Sequence, residues 1–252
     1  MITQETIKKL AIQQQTSDFP NVVREYFQHL FLSQLYRIEG SENILFKGGT
    51  ALKIIYGSPR FSEDLDFSIF NIEQYQQEKF IEDIFAKVLV EIERIGIKVE
   101  LGPKPGSTKE GYYGAATFKI YDYSSVTVSI NVSSRNGHDI KGEVDSIAND
   151  FVPTYNFFHL PQEKLVEEKI DALLERKKAR DFYDLYFIMR KNMLTPAQKA
   201  RLNQKKDKII LEAGRVDFRN ELSVLLPQSQ QDIIRDFKNN LLNELNRQLS
   251  GI

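Results

Sequence analysis

Two aspartates one residue apart, Asp64 and Asp66 in EDLDF, are the residues best suited to chemistry in this sequence of 252 residues. On a strand, side chains repeat every two residues. Asp64, Asp66 and Ser68 then share one solvent-facing side, while Leu65, Phe67 and Ile69 share the other. Paired carboxylates suit a hard divalent cation, because Mg²⁺ takes one or two of them, shares substrate phosphates and keeps several waters. Upstream lies Lys47-Gly48-Gly49-Thr50. Its glycines permit close backbone approach, and a helix capped by Thr50 would offer free N–H groups and a positive dipole end to a phosphate. Carboxylates beside a phosphate cradle are what phosphoryl or nucleotidyl transfer requires. Each part has a plain alternative: D-x-D is commonly surface charge, Gly-Gly a tight turn, Lys47 and Arg60 solvated cations, and Ser62 a turn cap. The order of the parts (strand, glycine turn, helix, turn, strand) is the specific feature.

Composition narrows the chemistry further. A sequence that is 41% hydrophobic and 27% charged is ordinary for a globular chain with one substantial core or two modest ones. It contains no cysteine, which removes disulfides, thiolate metal sites and a cysteine nucleophile together. The histidines His29, His138 and His159 are well separated, so a metal would be held mainly by oxygen. No apolar run suits a membrane span and MITQETIKKLAIQQQ lacks the core of a secretory signal, so the expected location is the cytoplasm, with no membrane partner. The formal charge is -1. Basic residues nevertheless collect late, in 176–180 (RKKAR) and 199–208 (KARLNQKKDK), as a solvated helix face or a polyanion contact.

The elements that must position the aspartates follow from periodicity. Two helices are expected in the first forty residues, the second burying Val22, Val23, Tyr26, Phe27, Leu30 and Phe31. A strand at 43–46, a helix through 52–56 and a strand at 64–69 come next, then a helix over 73–95. Further strands are expected at 98–101, 115–121 and 126–132, and GPKPGSTKEGYYG between the first two reads as a mobile loop. From Pro161 onward only helices are expected, at 162–175, 181–190, 196–213 and 230–249. The chain divides into an α/β domain over 1–155, with N-terminal helices, and a C-terminal helical domain over 156–252.

KGGTALKIIYG followed by RFSEDLDFS resembles the AbiEii/AbiGii nucleotidyltransferase toxins, and EKLVEEKIDALLERKKARDFYDLYFI, residues 163–188, resembles that family's later block. The resemblance implies an α/β (α+β) fold: a polymerase-β-like nucleotidyltransferase core with a mixed sheet, N-terminal helices and a C-terminal helical bundle. It implies that Gly48, Gly49 and Thr50 meet the nucleotide phosphates and that Asp64 and Asp66 hold the metal. Lys169 matches a nucleotide-contacting lysine, and Asp181, with Asp184 as second choice, a later catalytic aspartate. Lys47, Ser62, Arg176 and Arg180 complete the candidate nucleotide-binding set. On one continuous helix Lys169, Arg176 and Arg180 would present three cations to a triphosphate. A break near Lys178, with Asp181 capping a new helix, would instead rotate the later residues away, and Arg180 with Asp184 would form an ordinary surface pair.

Such transferases commonly place a third carboxylate on a later strand, where VTVSINVSSR offers Asn131, which cannot act as a general base near neutral pH. Asp122 and Asp145 are the nearest alternatives in sequence. The activity implied is transfer of a nucleoside monophosphate from a nucleoside triphosphate to an acceptor hydroxyl, with Mg²⁺ or Mn²⁺. Acceptors compatible with the basic segments and with the lysines of 103–109 are tRNA or other RNA. The implied biology is the toxin of an abortive-infection type toxin–antitoxin system, with a DNA-binding antitoxin as partner. The alternative is a catalytically weak or inactive nucleotide- or partner-binding module on the same fold.

Overall fold

Apolar residues spaced for one helical face and alternating strands sort this chain into a sheet with helices and a set of helices without strands. The computed structural model describes residues 2–16, 19–102, 106–108, 111–134 and 140–250. Two units result, Met1–Gly57 with Phe61–Leu160, and Ser58–Arg60 with Pro161–Ile252. No helix among the described residues is long and apolar enough to cross a membrane.

In the first unit, helices α1 (Gln4–Gln13) and α2 (Phe19–Leu35) precede strand β1 (Ile44–Lys47), helix α3 (Gly48–Tyr56), strand β2 (Asp64–Ile69) and helix α4 (Gln74–Arg94). Strands β3 (Lys98–Leu101), β4 (Gly106–Thr108), β5 (Gly111–Lys119), β6 (Val126–Ser134), β7 (Glu143–Ile147) and β8 (Tyr155–His159) follow. The sheet runs β3-β5-β6-β2-β1-β8-β7, with β4 on β5. It is mixed: β2 pairs parallel with β6 and β1 parallel with β8, while the other pairs are antiparallel. The expected mixed sheet with N-terminal helices is therefore found.

One sheet face is apolar and the other polar. Phe46, Leu65, Phe67, Ile69, Ile130, Val132, Phe118 and Phe157 are buried, and the predicted α2 stripe from Val22 to Phe31 is buried as well. Phe27 stacks on Phe118 with ring centres 4.4 Å apart, and Phe31, Phe67 and Phe85 pack ring against ring. Such aromatic pairs add attraction beyond their buried area. Several buried polar groups in this unit are paired. Lys53 lies 3.6 Å from Glu25, and the His29 Nδ1 lies 2.9 Å from the Tyr155 hydroxyl. Burial, and then the nearby Lys53, push the His29 pKa down to about 3, so its ring stays neutral.

The second unit contains α5 (Gln162–Arg176), α6 (Ala179–Arg190), α7 (Pro196–Ala213), α8 (Phe218–Leu222), α9 (Gln231–Arg235) and α10 (Phe237–Leu249). No strand occurs among its described residues, as expected, and Phe182, Phe218, Tyr183 and Phe237 form its aromatic centre.

Four expectations about elements are corrected. The segment read as a loop before residue 115 contains β4 and the start of β5, because Tyr112 and Tyr113 favour a pleated surface over a coil. Strands β7 and β8 were not expected; Glu143, Asp145 and Asn156 masked their alternation. The helix expected at 230–249 breaks at Asp236, and the single helix entertained across Lys178 is two helices, because Lys177 is left-handed at φ 56° and closes α5. The Lys104 and Lys109 side chains and His138 lie outside the described residues.

Candidate active site

The sheet register assembles the first unit's polar face residue by residue. Lys47 of β1 sits opposite Asp66 of β2, Asp66 opposite Asn131 of β6, and Asn131 opposite Tyr113 of β5. The next row carries Asp64, Ser129 and Ala115. Paired residues in a sheet point to the same side. Asp64 and Asp66 therefore lie side by side on one face, as their spacing demanded, and both are half-buried where full solvent exposure was expected. Ser68, on the same face, is fully buried.

Asp66 is hydrogen-bonded on one oxygen and closely approached by backbone on the other. The Asn131 side-chain amide donates to Asp66 Oδ1 at 3.0 Å. On the other side stands Gly48, where a Cβ would lie 2.2 Å from Asp66 Oδ2. Gly48 also has φ +86°, in the left-handed region that favours glycine. Both facts exclude any larger side chain here. We predict that Gly48→Ala lowers the melting temperature, from strain of about 1–2 kcal/mol plus the clash, and displaces the Asp66 carboxylate. Thermal unfolding together with a divalent-metal titration checks it; unchanged values in both would show that the contact has no consequence.

Gly48 opens α3 directly, with Lys47 as its N-cap and no side-chain cap. Thr50 is not the cap that was expected: it lies inside the helix and its hydroxyl donates to the Asp64 carbonyl, tying α3 to β2. The first N–H groups of a helix have no intrahelical acceptor and carry the positive dipole end. That end lies beside Asp66, a favourable arrangement for carboxylate and phosphate oxygens alike.

Lys47 and Arg60 are not solvated cations. Lys47 is buried and donates to the Ser133 hydroxyl at 3.2 Å on the same polar face. Ser62 is half-buried, and its carbonyl accepts from the Gln28 amide at 2.9 Å.

In the second unit Asp184 and Asp181 are ion-paired separately, with different cations. Arg60, in the segment Ser58–Arg60 that belongs to this unit, donates to Asp184 through Nε at 2.9 Å and Nη2 at 3.0 Å. Lys169 Nζ donates to Asp184 at 2.7 Å. Burial alone would push the Asp184 carboxyl up, but Arg60 and Lys169 outweigh it and hold the group below its ordinary value. Asp184 is therefore a buried ion-pair partner, and the surface pair with Arg180 does not form. Asp181 instead accepts from Arg176 at 2.7 Å and from the Lys178 backbone N–H at 3.2 Å, closing the start of α6. Arg180 is half-buried.

The search for a third carboxylate ends at Asn131. Asp145 pairs with Phe157 on the face opposite Asp66, since Phe67, Phe46, His159 and Glu143 follow one another in register there. Its carboxylate meets His159 Nε2 at 3.1 Å. Asp122 lies in the turn before Val126, five residues along β6 from Asn131, or about 17 Å. Neither reaches the Asp66 row. Sequence reasoning missed Tyr113 and Ser133 as members of this face, and strand alternation in GYYGAATFK and VTVSINVSS was the signal available.

A divalent metal fits this donor set: two carboxylates, one restrained by Asn131 and Gly48, beside an uncapped helix end. Among the described residues no group of three or more acidic, histidine or cysteine side chains gathers as a self-sufficient metal cage.

Comparison with known proteins agrees with this geometry. Residues 30–249 match the sequence family described as "Nucleotidyl transferase AbiEii toxin, Type IV TA system". A crystal structure of a candidate nucleotidyltransferase from H. pylori superposes with TM-score 0.59 at 18% identity, covering 90% of this chain and 96% of the other. The crystal structure of JHP933 from Helicobacter pylori superposes with TM-score 0.59 at 20% identity, covering 90% and 94%. At such identities these likenesses concern the fold. No curated protein matches the chain.

Proposed function

Because the chain belongs to the AbiEii family of nucleotidyl transferase toxins of type IV toxin–antitoxin systems, we propose that its first unit, which β8 carries past the limit of 155 read from the sequence to Leu160, transfers a nucleoside monophosphate from a nucleoside triphosphate to the 3′ hydroxyl of an RNA. The contact of Gly48 with Asp66 carries this reading, because it joins the phosphate-binding helix end to the metal-holding carboxylate. In this reading the N–H groups of Gly49 and Thr50 receive the phosphates, and Lys47 places positive charge beside them. Asp64 and Asp66 hold Mg²⁺ or Mn²⁺, which would supply Lewis-acid polarisation of the reacting phosphate and neutralise its charge. Asn131 orients Asp66 and takes no proton, so the position opposite Asp66 on β6 supplies no base.

The helical unit, from Pro161 onward, is proposed to meet the RNA. Basic residues outnumber acidic ones in the second unit and are outnumbered in the first, which favours polyanion contact by the helical unit. Nucleotide contact by Lys169, Arg176 and Arg180, and a catalytic role for Asp181, rest on the likeness of residues 163–188 to the family's later block. Transfer RNA is the proposed acceptor, a DNA-binding antitoxin the proposed partner, abortive infection the proposed setting and the cytoplasm the proposed location.

The test is direct. Protein incubated with labelled nucleoside triphosphates, Mg²⁺ and total RNA is expected to label RNA and release pyrophosphate, and EDTA to stop both. Nucleotide binding without transfer to RNA, protein or small molecules would establish the second reading, a binding module, for which Asn131 in place of a carboxylate is the motive.

A further inference from the structure

Tyr113 stands on the polar face of the sheet in the same row as Asp66 and is 42% exposed. The neighbouring Tyr112, on the other face, is buried. The residues around Tyr113 are small. Gly106 lies opposite it on β4 and Asn131 opposite it on β6, while Gly111 and Ala115 are its same-face neighbours along β5. No other aromatic ring packs on it among the described residues. The outcome is a bare aromatic ring on a low shelf, two strand spacings or about 10 Å from Asp66.

Its side of the site has a meaning. Across the sheet the order is Lys47, Asp66, Asn131, Tyr113, so the phosphate-binding end of α3 lies on one flank of Asp66 and Tyr113 on the other. In phosphoryl and nucleotidyl transfer the attacking and leaving oxygens stand roughly in line across the reacting phosphorus. With pyrophosphate leaving toward the α3 end, the attacking hydroxyl approaches from the Asn131 and Tyr113 flank. Resting on the transfer reading of the Asp64 and Asp66 site, we propose that Tyr113 is the platform on which the acceptor's terminal nucleobase stacks. The acceptor is then a single-stranded RNA end whose base is recognised by its π-face, a contact that tolerates sequence. The ring does the work, and the hydroxyl is dispensable.

The experiment compares the wild type with Tyr113→Ala and Tyr113→Phe. Two quantities are measured: KM for a single-stranded RNA hexamer and for the nucleoside triphosphate separately, and binding of the same hexamer carrying 2-aminopurine at its 3′ end, followed by fluorescence. Tyr113→Ala is expected to weaken hexamer binding and raise its KM about tenfold to a hundredfold, leaving KM for the triphosphate unchanged. Tyr113→Phe is expected to behave as wild type. Failure of the hexamer to bind, or equal binding by wild type and Tyr113→Ala, overturns the proposal. A rise in triphosphate KM alone would assign the ring to the incoming nucleotide and also overturn it. Failure of the transfer reading itself looks different: no Mg²⁺-dependent labelling by the wild type, whatever the fluorescence shows.

Discussion

Asp66→Ala is expected to reduce nucleotide transfer by about a thousandfold or more while leaving the fold intact. The carboxylate is one of the two that stand side by side on β2, so its loss halves the negative charge this pair offers a cation. Metal-based stabilisation of the transition state is worth several kcal/mol, and each 1.36 kcal/mol is a factor of ten in rate. Because Asp66 is half-buried and faces outward from the core, its removal leaves, among the described residues, the Asn131 amide without its acceptor. Circular dichroism should match the wild type, and Mn²⁺ binding followed by paramagnetic resonance should weaken in step with transfer. Retention of more than about a tenth of the activity would remove Asp66 from the chemistry.

The largest effect on stability is expected at Asp184. Its side chain and that of Arg60 are almost fully buried, so Asp184→Asn leaves the Arg60 guanidinium and the Lys169 ammonium facing a neutral group. Breaking a buried pair from one side costs about 3–5 kcal/mol, a drop in melting temperature of about 10 °C or more. The pH dependence has a definite sign. The folded-state pKa of Asp184 lies below its ordinary value of 3.8, so its contribution is fully present above that value and is lost as pH falls through the lower folded one. Wild type and variant should therefore converge in strong acid, and equal stability at neutral pH would refute the account. Lys169→Met separates two roles in the same experiment. Raised KM for the triphosphate beyond what lost stability explains supports nucleotide contact, whereas a lower melting temperature with unchanged KM makes Lys169 a structural partner of Asp184.

How far the residue string carried depended on the range of the interaction. Period-two alternation in DLDFSI is local, so the shared face of Asp64 and Asp66 was readable, as were the α2 stripe and the helical stretch after Pro161. Strands β7 and β8 were not, because charged and polar residues interrupt their alternation, on the edge strand β7 and on β8 beside it. Lys177 shows the same limit: its left-handed backbone splits α5 from α6, although the flanking residues all favour helix.

By itself the sequence determined the metal-suited carboxylate pair, the glycine turn that precedes it, the absence of thiol chemistry and the family likeness. All of these reside in residue type and short spacing. Only the tertiary structure decided which groups meet. Strand order put Asn131 against Asp66 and Asp145 on the opposite face, the β1 to α3 junction set Gly48 against the carboxylate, and the same row brought Tyr113 to the site. Arg60 found Asp184, 124 positions away, because a buried charge must be paired, and no local spacing records which partner will be within reach.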